Sequence, residues 1–346
     1  MADTLGTRIT TTMRQWMAPF AVDTILNSNV LFTRVVKKAK KWTGNQMQYP
    51  VKVSKNSTGT SFSGFDTFST AATDNRVKLQ FDPSFQQITS SLPLDEVWVN
   101  ESSTGAERIL NLLNLTLQSD SQDMADDLGT QWYGTGTGNS SKDFLGLGAL
   151  CDDGTTVATI GGLSRSTYTT LKSTVTASSG TLTLAKMATL WNNVTSGSVK
   201  PTVAITDEAT FSLYEQLLQS QERYMKDGDV TGPIANGTGS LKLAYKGIQV
   251  VMDEKCTSGY LYFLNENFLM FAGVNGKTGA KPLDMSGDLI EGNDYSSAEL
   301  KSLGFSYTDW IIPTNAAAII AHIYFGGQFM TNDPKRSGVL TGVTGV

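Results

Sequence analysis

The sequence predicts an α+β protein with more than one packed unit, and three observations carry that prediction. Two alternating apolar–polar runs, Met47–Ser54 and Val77–Phe81, flank a stretch rich in Ser, Thr and Gly. A helical apolar period extends over 104–133. From residue 144 onward, short amphipathic helices alternate with short apolar strands. A chain of 346 residues exceeds what one small core covers and fits two or three linked cores.

The first forty residues read as an arm. Met13, Trp16, Met17 and Phe20 make a helix-like stripe cut by Pro19, and Ile25, Leu26, Val30 and Leu31 follow. These apolar residues are too few to form a core, so the arm must lie on another surface, its own or a neighbour's. Next, Met47, Tyr49, Val51 and Val53 alternate with Gln46, Gln48, Lys52 and Ser54, and Val77, Leu79 and Phe81 alternate with Lys78 and Gln80. That is the period of half-buried strands. Between them, Phe62, Phe65 and Phe68 stand among Ser, Thr and Gly. The expected element is a long hairpin with an extended tip. An isolated two-stranded hairpin is marginal in water, so another subunit is the expected support. Folding back onto the same subunit is the plainer alternative.

Thr104, with Glu107 three residues later, is a capping box. Ile109, Leu113, Leu117, Met124, Leu128 and Trp132 fall near one face of the helix that follows, and Gly134, Gly136 and Gly138 end it. After Thr183, Leu184, Met187, Leu190, Trp191 and Val194 predict an amphipathic helix. A strand is expected over 202–205, then a helix carrying Phe211, Tyr214 and Leu217. Gln221–Ser240 reads as a mobile loop, and Ile248–Met252 as a strand. Tyr260–Leu264 and Phe268–Phe271 read as two strands paired across a turn at 265–267. The final strands are expected at Tyr307–Ile312 and Ala317–Phe325.

Only 17% of residues are charged, against about 25% in ordinary soluble domains. A surface poor in charge suits a subunit covered by copies of itself. The net charge of −5 and pI near 5.0 argue against a nucleic-acid reader. The cluster Lys37, Lys38, Lys40 and Lys41 reads as a solvated helix end. Met1–Gly6 lacks a basic start, no signal-like apolar run follows, and Ala316–Ala321 is far too short to span a membrane. The expectation is a protein made in a reducing cytoplasm with Cys151 and Cys256 free.

Catalytic chemistry has little to work with. The lone histidine, His322, lies inside an apolar run, which reads as a core or sheet-face position, and no Ser-His-Asp set can be built without it. Two cysteines and one distant histidine make no zinc signature. Asp120, Asp123, Asp126 and Asp127 read as a solvated acidic face, because Gln122 and Met124 stand where a calcium loop from Asp120 needs oxygen ligands. Gly134–Gly138 follows a helix and lacks the Gly-Lys-Ser/Thr of a phosphate loop. No cofactor is expected.

The order of these elements resembles the major capsid proteins of tailed viruses, the Hong Kong 97 fold. The closest local match is Lys200-Pro-Thr-Val-Ala-Ile-Thr-Asp-Glu-Ala-Thr-Phe211, continuing through Gly247–Asp253 and Tyr260–Leu264 to Phe268–Gly273. Gln249-Val250 stands where a Pro-Val often occurs. The resemblance implies an N-terminal arm over 1–42 and an extended hairpin loop over 43–95. The spine helix and first part of a peripheral domain would occupy 96–149, an inserted axial domain 150–285, and peripheral return strands with the C-terminus 286–346. It implies a non-enzymatic subunit that self-assembles as pentamers and hexamers into an icosahedral shell around double-stranded DNA, held without sequence specificity. Partners would be a portal protein and a separate scaffolding protein; assembly would occur in the host cytoplasm. Trp16, Phe20, Phe62, Phe65 and Phe68 become candidate intersubunit contacts. Some capsids of this fold join a hairpin lysine to a neighbour's asparagine, which makes Lys52, Lys55 and Lys78 candidate cross-link lysines. Two rivals remain: an encapsulin-like compartment of the same fold, and a β-rich surface adhesin.

Overall fold

The computed structural model describes residues 29–36, 39–71, 75–102, 106–177, 179–218, 243–274, 281–282, 305–308 and 310–345. Most of the arm, including Trp16 and Phe20, lies outside them, as do the Thr104 cap and the loop expected at 221–240.

Two sheets and one long helix organise these residues. The first sheet is centred on the fourteen-residue strand Ala318–Thr331. Ser84–Pro93 pairs antiparallel along one side of it, in register from Ala318↔Pro93 to Gly327↔Ser84. On the opposite side Phe305–Tyr307 and then Leu269–Gly273 pair with it in succession, and Lys40–Lys41 extends the sheet beyond Leu269–Gly273. The helix Ala106–Tyr133 packs on the Ser84–Pro93 strand. With 28 residues it is roughly 42 Å long at about 1.5 Å per residue. Met124, Leu128 and Trp132, four residues apart, are buried as the helical period requires.

The second sheet runs, in spatial order, Leu243–Tyr245, Ile248–Met252, Val203–Thr206, Leu261–Leu264, Gly338–Leu340 and Thr174–Thr176. It is a wall between two cores. Val203, Ile205, Tyr262, Leu264 and Val339 face the core shared with the long helix and first sheet. Ala204, Leu261, Phe263 and Leu340 face a second core, closed by the helices Leu184–Val194 and Glu208–Leu218. Burial on both faces explains why these strands read as continuous apolar runs without alternation. The first of those helices starts as the sequence predicts: Thr183 is extended and its side chain accepts the Lys186 N–H at 3.3 Å.

Several sequence expectations need correction. Leu261–Leu264 and Leu269–Gly273 do not pair with each other. The chain crosses at 265–268 from the second sheet to the first, and Asn265, whose amide donates to the Lys200 carbonyl at 2.8 Å, fixes that crossing. The strand expected to end at Phe325 continues to Thr331. Ser84–Pro93 and the helix Leu94–Ser102 were not expected. The strand hides because its pattern is inverted at two places: Ser84 and Ser90 point inward, while Phe85 is 60% exposed. Ser90 is satisfied there by donating to the Asp120 carboxylate. Burial raises the Asp120 pKa against that hydrogen bond, with nearby Asp123 adding to the rise. Asp123, Asp126 and Asp127 are exposed as expected.

Candidate assembly surface

The hairpin forms as the alternation requires. Met47–Lys52 pairs antiparallel with Arg76–Phe81, from Met47↔Phe81 to Lys52↔Arg76. The hydrogen bond from Val53 N–H to the Asn75 carbonyl at 2.9 Å sets the phase of the ladder. Residues 47, 49, 51 and 53 bond across to the partner strand, and 48, 50 and 52 turn their backbone groups outward. Pro50 therefore sits where no cross-strand donor is needed, and it removes a donor from the open edge.

Exposure rises along the hairpin. At its base Met47, Leu79 and Phe81 are buried in the first core. A tight turn at Gly161–Gly162 braces this base: the Gly161 carbonyl accepts the Gln80 N–H at 2.9 Å. With φ of +53° and Leu79 Cδ2 only 2.9 Å from where a Cβ would stand, Gly161 has both a conformational and a steric reason to be glycine. Beyond the paired strands, residues 54–71 are almost wholly exposed. Phe62, Phe65 and Phe68 are 67%, 106% and 61% exposed. Phe62 and Phe68 touch edge-to-face at 5.2 Å, and Phe65 stands free. Local turns shape this tip: Thr58 N–H donates to the Asn56 side chain at 3.0 Å, and Ser63 N–H to the Asp66 carboxylate at 2.9 Å. Lys52 and Lys78 lie with Arg76 on the exposed face of the ribbon, and Lys55 follows just past it.

The arm's described end is fixed within its own subunit. Phe32 is fully buried and stacks on Trp132 at 4.1 Å. Asn29 donates from its side-chain amide to the Ala125 carbonyl of the long helix at 3.2 Å. Arg34 forms an ion pair with Glu266 in the crossing between the sheets.

No protein-family model matches the sequence, and neither does any curated protein sequence. Solved structures do match. The subunit in the capsid asymmetric unit of cyanophage A-1(L) superposes with a TM-score of 0.62 at 13% identity, over 91% of this chain and 92% of that one. The chain has the Hong Kong 97 capsid fold. The encapsulin of the holo-SrpI complex from Synechococcus elongatus PCC 7942 shares it with a TM-score of 0.51 at 10% identity, over 89% of this chain and 86% of that one. A β-rich adhesin finds no support in this likeness.

Within this Hong Kong 97 fold, two polar centres that sequence reasoning missed hold the elements in place. Asp253 is buried where three segments meet. Its Oδ2 accepts from the Tyr133 hydroxyl at 2.7 Å and from the Leu31 N–H at 3.3 Å, and its Oδ1 from the Lys255 N–H at 3.0 Å. One carboxylate thus caps the helix Val30–Val36 and ties it to the end of the long helix. Burial, followed by the neighbouring Asp253 charge, pushes the Tyr133 hydroxyl pKa well up. Arg165 is fully buried. It donates to the carbonyls of Ala149 at 2.6 Å, Val157 at 2.8 Å and Leu171 at 3.2 Å, and pairs with Asp152 at 3.3 Å. Asp152 in turn accepts from Gly154 and Val157 N–H. The available signal was the run Cys151-Asp-Asp-Gly154, an Asx-turn sequence.

His322 sits on the first sheet opposite Thr89, with Nδ1 2.8 Å from the Thr89 hydroxyl, a sheet-face position as expected. Cys151 and Cys256 are both buried and unbridged. Desolvation pushes the Cys151 thiol up to about 12 and the Cys256 thiol strongly upward, the opposite of an activated nucleophile. Among the described residues, no group of three or more His, Cys, Asp or Glu side chains could hold a metal ion, and no helix is long and apolar enough to cross a membrane.

Proposed function

We propose that this chain is the major capsid protein of a tailed virus, a non-enzymatic subunit that self-assembles into an icosahedral shell around double-stranded DNA. The observation that carries the reading is the hairpin tip: three phenylalanines exposed beyond a ribbon whose paired strands, and not its tip, pack on the first core. An apolar projection of this kind is a liability in a free protein and a contact in an assembled one. The fold likeness supports the same reading, since the cyanophage capsid subunit superposes more closely than the encapsulin.

In this reading the hairpin tip, together with Trp16 and Phe20 of the arm, makes contacts between subunits within pentamers and hexamers. The segment roles are those of an arm, an extended loop, a spine helix with peripheral sheet, and an axial unit, with Ser84–Pro93 and Leu269–Gly273 assigned to the peripheral sheet and Gly338–Leu340 to the axial one. A portal protein occupies one vertex, a separate scaffolding protein assists assembly in the host cytoplasm, and DNA is enclosed without sequence recognition. The net charge of −5 suits a lining that does not grip phosphates. The encapsulin-like compartment is the second reading, favoured by the SrpI likeness. Particle contents separate the two. Nuclease-resistant double-stranded DNA in native particles is the expected result; empty-of-DNA particles that carry one stoichiometric enzyme would overturn the viral reading.

A further inference from the structure

The strand Gly338–Leu340 occupies an unusual place. It lies inside the second sheet, antiparallel to Leu261–Leu264 and parallel to Thr174–Thr176, yet it follows in sequence the whole long strand of the first sheet. Its side chains reach both cores: Val339 enters the one shared with the long helix and Leu340 the other, which Val343 just beyond the strand also enters. Ser337, Val339, Leu340 and Val343 are all at most 5% exposed. Immediately after it, Val343–Gly345 pairs with Gly180–Thr181. The fit is tight at its first position. A Cβ on Gly338 would stand 2.6 Å from Val194 Cγ2, 2.8 Å from Leu190 Cδ1 and 3.0 Å from the Thr174 carbonyl.

We propose that the slot between Leu261–Leu264 and Thr174–Thr176 is a strand-acceptor site, specific for the extended segment 337–345 of this same chain. Filling it is the step that completes the second sheet, after the first sheet has formed. With the slot empty, the facing edges of Leu261–Leu264 and Thr174–Thr176 stand unpaired, which invites pairing with other chains. Closure therefore comes before the subunit can join others in order. This consequence alone rests on the shell reading; the site itself does not.

The test uses the full chain carrying a protease site in the turn 332–336, cut after folding. In mild urea the nicked protein is offered an excess of fluorescent peptide of residues 337–345, either native or with Gly338→Val. Hydrogen exchange is followed by mass spectrometry. The expected result has three parts: the native peptide is incorporated, the G338V peptide needs at least a hundredfold higher concentration, and strands 203–206 and 261–264 lose protection when the slot is vacated while Ser84–Pro93 and Ala318–Thr331 keep theirs. Equal incorporation of both peptides, incorporation of neither, or simultaneous loss of protection in both sheets would each overturn the proposal.

Discussion

Replacing Phe62, Phe65 and Phe68 together by Ser separates an assembly contact from a structural one. In the free subunit Phe65 is fully exposed, and Phe62 and Phe68, both mostly exposed, meet edge to face at 5.2 Å. Losing that edge contact costs the subunit about 0.5–1.5 kcal/mol at most. A neighbour that buries a phenylalanine gains about 1.5–3 kcal/mol from it, so three rings contribute roughly 4.5–9 kcal/mol per subunit. At about 1.4 kcal/mol per factor of ten, association should weaken at least a thousandfold while the fold is hardly touched. Thermal melting of unassembled subunits should shift by less than about 4 °C, and shell yield by light scattering should collapse. A large fall in the subunit's melting temperature, with normal shells formed by the protein that survives, would show that the tip packs within its own subunit.

Four further outcomes follow from the interior and the ribbon. Arg165→Met strands the Asp152 charge and three carbonyls in a dry site, so chemical denaturation should show a loss of about 3–5 kcal/mol. Tyr133→Phe removes a charge-assisted bond to Asp253 and should cost about 1.5–3 kcal/mol by the same measurement. Burial raises the pKa values of Tyr133, Tyr262, Cys151 and Cys256. A group raised in the folded state contributes its full stability below its unfolded pKa and loses it as pH climbs. The melting temperature should therefore hold up to about pH 8.5, where free thiols begin to ionise, and fall steadily above it, less steeply in a Cys151→Ala, Cys256→Ala variant. If Lys52, Lys55 or Lys78 joins a neighbour covalently, denaturing gels of mature particles show a ladder that disappears in the corresponding Lys→Arg variant; a single band rejects cross-linking.

The parts of the fold that were legible in the sequence share one property: their side-chain pattern answers to a single, local partner. Met47–Lys52 and Arg76–Phe81 alternate because one face of the ribbon is open. Leu184–Val194 announces itself through Thr183 and one apolar stripe. What stayed hidden depends on partners distant in sequence. Ser84–Pro93 carries inward serines because Asp120 and Gln328 wait for them across the fold. Leu261–Leu264 and Leu269–Gly273 look like a hairpin, yet each is buried on both faces, and only the sheet order reveals that they part. Arg165 and Asp253 are single polar residues whose roles arise from contacts spread over many segments. The exposure of the three tip phenylalanines was legible because a Ser-, Thr- and Gly-rich stretch offers nothing local to cover them.

Electron microscopy of the purified, expressed chain, with light scattering alongside, decides whether it builds shells. Closed icosahedral shells are expected, formed by the chain alone or with a candidate scaffolding protein. Monomers or dimers only, under every condition and in the presence of such a protein, would contradict the capsid reading.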